Sequence, residues 1–210
     1  MTKEINAREL VRGIVAVIDE NKVWLSEIDG AVGDGDHGIN MAKGFSMVRA
    51  DLDRQPDDLG SLLSYVGMTL LTHIGGAMGP IYGTFFMNMG KAVQGKKELE
   101  IVDVSNMLTG ALEGVVRRGG AEVGDKTLVD TLSAAKEAFE KAAASGKDLG
   151  ESIDEMMAAA RRGMESTKEM VAKKGRSSRL GERSKGTIDA GAASCYLILT
   201  SMGKSITQYL

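Results

Sequence analysis

Asp29, Asp34 and Asp36 fall within eight residues of one another, in the stretch from Ile28 to Asn40 that reads Ile-Asp-Gly-Ala-Val-Gly-Asp-Gly-Asp-His-Gly-Ile-Asn. Nothing bulky in that spacing keeps three carboxylates from converging on one point, and converging carboxylates repel unless a cation stands between them. Short acidic side chains offering only oxygen suit a hard ion. Mg²⁺ in particular takes one or two protein carboxylates and completes its shell with water and phosphate oxygens. The chemistry to expect is a metal-phosphate site. An isolated Asp-Gly-Asp would read as a solvated turn, but the added Asp29, His37 and Asn40 favour the site. A calcium loop of the EF-hand type is excluded, because Gly38 stands at its third ligand position and Phe45 where the closing Glu belongs.

Two further glycine-rich stretches suit anion chemistry. Gly75-Gly76-Ala77-Met78-Gly79-Pro80 lets backbone amides approach a phosphate, and Pro80 suits the first turn of the helix that follows. A tight interhelical turn explains the same residues equally well. Between Lys173 and Gly191 lie six Lys or Arg residues, Arg176 among them. They read either as a solvated run or as a clamp for an anionic substrate, since guanidinium groups match phosphate geometry. Gly124-Asp125-Lys126-Thr127 imitates the tail of a Walker A loop, but Asp125 interrupts the Gly-Lys pair and no buried strand precedes it.

The elements that position these residues are helices. The chain has 210 residues, room for one domain over 1–210, with 2 Pro and 4% aromatics. That composition favours an all-α fold, because strands want aromatic and β-branched residues. A net charge of −3 argues against nucleic acid or an anionic membrane as partner. The lone Cys195 and an opening Met-Thr-Lys-Glu-Ile-Asn without an apolar core point to a cytoplasmic protein, and no stretch is apolar enough to span a bilayer.

Apolar spacing predicts helices over 6–18, from Gly38–Asn40 to about Leu52, from Asp57 or Asp58 to Ile74, after Pro80, over 104–116, 128–144, 149–173 and 192–205. Lys22 to Glu27 reads as a short connecting segment anchored by Trp24 and Leu25. His73 reads as a packing residue and Thr127 as a helix cap. The segment 173–191 reads as a long irregular loop, of the kind that is usually functional. Glycine-rich stretches recur at alternate helix connections, which an up-and-down bundle gathers at one end.

Taken together, Asp29-x4-Asp34-x-Asp36-His37-Gly38-x-Asn40, Gly75-Gly76-Ala77-x-Gly79-Pro80 and Leu180-Gly181-Glu182-Arg183-Ser184 resemble one family. It is that of the L subunit of bacterial dihydroxyacetone kinase, related to the nucleotide-binding C-terminal domain of single-chain dihydroxyacetone kinases. The resemblance implies an eight-helix antiparallel up-and-down barrel with a nucleotide and two Mg²⁺ ions at one end. It places the metals on Asp29, Asp34 and Asp36. ADP or ATP would lie along His37, Gly38, Ile39, Asn40, Met78, Gly79, Gly119, Leu128, Arg176, Asp189, Ala190 and Gly191, with Arg176 also catalytic.

In such systems a phosphohistidine-bearing M subunit of the phosphotransferase system charges retained ADP, and the phosphoryl group passes to dihydroxyacetone on a separate K subunit. A transcriptional regulator is a further partner the resemblance allows. Arg179, Lys185, Thr187 and Ala190 replace the Tyr, Ile, His and Pro of more familiar members. With those departures the resemblance is compatible with a four-carbon ketose such as erythrulose as well as dihydroxyacetone, with free ATP as well as a phosphoprotein donor, and with a non-catalytic nucleotide-sensing module.

Overall fold

The computed structural model describes residues 4–210; Met1 to Lys3 lie outside the described residues. Among the described residues there are eight α-helices: α1 (Ala7–Gly30), α2 (His37–Asp51), α3 (Leu59–His73), α4 (Met78–Ala92), α5 (Ile101–Gly119), α6 (Leu128–Ala144), α7 (Leu149–Ser166) and α8 (Ala190–Thr207). They are joined by turns and short 3₁₀ segments, with no strand among the described residues. Consecutive helices pack side by side and α8 returns against α1, which closes the ring.

The interior is filled by the apolar positions that define each helical stripe. Leu10, Ile14 and Ile18 of α1, Phe45 of α2, Phe85 and Phe86 of α4, Phe139 of α6 and Ile198 of α8 are all essentially inaccessible. Phe45, Phe86 and Phe85 meet edge to face, with centroids 5.9 and 5.0 Å apart, an arrangement that suits the ring quadrupoles. No helix of the described residues is long and apolar enough to cross a membrane.

Four expectations are corrected by the structure. First, helix α1 does not end near Ile18 but runs on to Gly30, so Lys22–Glu27 is helical and Asp29 sits in a last helical turn. No Pro or Gly interrupts that stretch, and Leu25 is buried in the core while Trp24 packs against it. Second, α7 stops at Ser166, and a 3₁₀ turn over Thr167–Glu169 leads to extended backbone at Met170. Helix cannot continue there because the chain turns toward the α5–α6 connection, where the Lys173 amide donates to the Asp125 carbonyl at 3.1 Å. Third, the 173–191 connection is not irregular throughout: Ser177–Ser184 forms 3₁₀ turns, kinked at Gly181 where φ is +54°. Fourth, His73, read as a packing residue, is exposed at the end of α3.

Candidate functional site

The α1–α2, α3–α4, α5–α6 and α7–α8 connections line one cavity of about 630 Å³. That volume lies in the range of small-molecule and cofactor sites. Glycine-rich connections were expected to gather at one end, and all of them do.

On one wall, Asp29 comes from the last turn of α1, Asp34 from the connection and Asp36 from the residue preceding α2. Each offers a carboxylate oxygen, and the three oxygens lie within 4.8 Å of one another. Two short-range features hold them there. The His37 amide donates to Asp29 Oδ2 at 3.2 Å, and Gly38 lets α2 start against α1, since a Cβ on it would collide with the Lys22 carbonyl. All-oxygen donors at that spacing fit a hard divalent cation. The Arg176 guanidinium supplies positive charge to the cluster, pairing with Asp34 and lying 3.6 Å from Asp36.

Behind the carboxylates runs a chain of polar side chains. His37 Nε2 is 2.8 Å from Ser194 Oγ, which is 2.6 Å from the Tyr82 hydroxyl, and Tyr82 donates to the Gly191 carbonyl at 3.1 Å. Burial pushes the His37 pKa down to about 4 against the opposing pull of Asp29, so the ring is neutral at pH 7. Asp189 caps α8, accepting from the Ala192 amide at 2.8 Å. Burial pushes its pKa up to about 6, although the Ala192 amide and Lys126 both favour its charged form.

Of the residues expected to hold nucleotide, His37, Asn40, Met78, Gly119, Leu128, Arg176, Asp189, Ala190 and Gly191 line the cavity. Gly38, Ile39 and Gly79 are not on its wall. Ile39 is 63% exposed, and Gly79 is buried at the start of α4, where a Cβ would collide with the Ile74 carbonyl.

Sequence reasoning missed Tyr82, Ser194 and Lys126. Lys126 is 1% exposed, and its ammonium donates to the carbonyls of Thr167, Ser184 and Thr187 at 2.8, 2.7 and 2.6 Å. The signal available was the Thr127-x-x-Asp130 capping pattern just after it, which is realised as a full capping box. Nothing local to the sequence says that the adjoining lysine turns inward.

A closed all-α bundle with a carboxylate-lined, nucleotide-sized cavity at one end is thus the class of molecule in hand. A family model described as the DAK2 domain matches residues 31–204, and the chain belongs to that family. It is 40% identical over 186 residues to the ADP-binding subunit DhaL of PEP-dependent dihydroxyacetone kinase 1 from Listeria innocua, covering 88% of each chain. It is also 40% identical over 185 residues to the ADP-binding subunit DhaL of the PTS-dependent dihydroxyacetone kinase from Lactococcus lactis, covering 87% of this chain and 88% of that one. The structure is similar to that of the dihydroxyacetone kinase from C. freundii in complex with AMP-PNP and Mg²⁺. The TM-score is 0.72 at 25% identity, over 95% of this chain and 33% of that one.

Proposed function

We propose that this chain is the ADP-binding subunit of a cytoplasmic dihydroxyacetone kinase. Asp29, Asp34 and Asp36 hold two Mg²⁺ ions, and adenine nucleotide lies from His37 and Asn40 across Met78, Gly119 and Leu128 to Asp189, Ala190 and Gly191. The observation that carries the reading is the meeting of three carboxylates and an arginine in a cavity whose wall also includes glycine backbone at Gly75, Gly76 and Gly119 and apolar side chains such as Met78, Ile81 and Leu128. Backbone amides and cations suit the phosphates, and apolar walls suit the base.

Phosphoryl transfer needs positioning and charge neutralisation more than an internal nucleophile. Bound Mg²⁺ would supply the neutralisation of phosphate charge. The chain's own residues do the rest: the three aspartates fix where positive charge sits, neutral His37 is oriented by Ser194, and Arg176 stands at the open edge with 58% of its side chain exposed. From there Arg176 can follow charge that develops on the transferred group, which is the role of a catalytic residue. The sugar is bound by a separate K subunit and the phosphoryl group is delivered by a phosphohistidine-bearing M subunit, so the open end is also the docking end.

Reconstitution tests this reading. The chain is mixed with ADP, Mg²⁺, a K-type subunit carrying dihydroxyacetone and an M-type subunit charged from phosphoenolpyruvate, and dihydroxyacetone phosphate is measured. Turnover with the phosphoprotein donor is expected. Turnover with ATP alone would make nucleotide a substrate, turnover of erythrulose alone would reassign the sugar, and no turnover with any donor or ketose would overturn the kinase reading.

A further inference from the structure

The turn between α5 and α6 contains the one buried lysine among the described residues, and that residue also has the only non-glycine backbone there with positive φ, +61°. A buried ammonium is costly unless all its protons are satisfied. Here the three acceptors are the carbonyls of Thr167, Ser184 and Thr187, all from the segment that follows α7 and none from the lysine's own turn.

The neighbouring Asp125 makes a second attachment to the same segment. Its carbonyl accepts from the Lys173 amide at 3.1 Å and its carboxylate lies 3.3 Å from the Lys173 ammonium. The stretch that carries Arg176 is therefore tied down near its start, at 173, and near its end, at 184 and 187. The turn providing both ties is itself braced. Asp125 accepts from the Glu122 amide at 2.9 Å, and Asp130 accepts from the Gly124 and Thr127 amides at 2.5 and 2.8 Å. Thr167 extends the reach of Lys126 further, because its hydroxyl accepts from the Asp189 amide at 3.0 Å.

We infer that Lys126 is a positioning residue: its three-carbonyl junction, with Asp125 as the second tie, pins residues 173–187 across the mouth of the cavity. The pinning holds Arg176 against the carboxylates and makes release of bound nucleotide slow. The second half of that statement rests on the nucleotide reading of the cavity. The first half does not.

Lys126→Met keeps a side chain of similar length and leaves the three carbonyls without their donor. Two measurements read the consequence. Tryptic cleavage of the ligand-free chain within 173–185 should accelerate roughly tenfold or more, the scale set by losing charge-assisted hydrogen bonds, with cleavage elsewhere unchanged. In Mg²⁺, dissociation of ADP chased by excess ATP should accelerate by a similar factor while association is little altered.

Ser184→Ala serves if Lys126→Met does not fold. It loosens the segment from its own side, removing the bond donated to Gly181 at 2.6 Å and the one accepted from Ala172 at 2.9 Å while leaving the ammonium in place. Wild-type cleavage and wild-type ADP release in whichever variant folds would overturn the inference. So would cleavage that rises uniformly along the chain, which is the mark of a merely structural lysine. A wild-type chain that binds no ADP would defeat the nucleotide reading instead, and the cleavage arm would still decide whether the segment is pinned.

Discussion

The two ends of this bundle are built on opposite rules. At the far end, where α1, α3, α5 and α7 begin, every helix is closed by a side chain: Asn6, Asp58, and the capping boxes Glu100–Asp103 and Asp148–Glu151. Charges there are matched in pairs, as in Arg8 with Asp57 at 3.1 Å and Lys96 with Asp103 at 3.1 Å. At the cavity end only α6 and α8 have side-chain caps, Thr127 and Asp189, while α2 and α4 start without one. Like charges are gathered there rather than separated. An uncapped helix start and crowded carboxylates both cost stability unless a ligand completes them. The far end is finished for folding, and the cavity end is finished for binding.

Breaking the comparison at its strongest point means removing a carboxylate. Asp34→Ala or Asp36→Ala should leave the helical circular dichroism unchanged and lower ADP affinity in Mg²⁺ by on the order of 10³-fold, about 4 kcal/mol, in isothermal titration. Full affinity in both would dissolve the metal assignment. Arg176→Ala separates catalysis from binding: phosphoryl transfer should fall about 10²-fold in kcat, the scale of removing one preorganised charge donor, with a much smaller change in ADP affinity. A loss confined to affinity would make Arg176 a binding residue only.

Acidity offers a smaller and signed contrast. Asp189 has its folded pKa raised to about 6 from 3.8, so its ionisation destabilises the native state above that value, and the penalty fades as pH falls from about 6 toward 4. His37 acts in the opposite sense, because a ring held at about 4 against 6.5 removes stability as pH falls through the same window. Asp189→Asn, which keeps a capping side chain, should therefore be more stable than the ligand-free wild type at pH 7.5 by about 1–2 kcal/mol in urea. That advantage should shrink toward zero at pH 4, and a pH-independent gap would mean Asp189 is not the source. Smallest of all is the far-end control. Asp58→Ala removes the acceptor for the Ser61 amide at 2.9 Å and should cost about 1 kcal/mol of stability while ADP affinity stays at the wild-type value.

The contrast between the ends also explains what could be read from the chain before its fold was known. Helix cores were legible because apolar periodicity is local, and the bounds 128–144 expected for α6 coincide with Leu128–Ala144 because Thr127 announces the start. The gathering of Asp29, Asp34 and Asp36 was legible because the three lie within eight residues, from the last turn of α1 to the residue before α2. The extension of α1 to Gly30 was not, because whether Leu25 is buried depends on packing supplied by distant helices. The exposure of Ile39, beside a lining Asn40, depends on the rotation of α2 in the bundle. Lys126 was least legible of all: a lysine in a glycine-rich turn reads as solvated until the carbonyls of Thr167, Ser184 and Thr187, up to 61 residues away, are brought to it.

Native mass spectrometry of the chain, desalted and then supplied with magnesium acetate and ADP, tests the metal-nucleotide assignment most directly. The expected spectrum shows a single added mass of one ADP with two Mg²⁺ in the wild type and none in Asp34→Ala. A wild type that stays at its unliganded mass across the ADP titration, or an Asp34→Ala variant that loads as the wild type does, would contradict it.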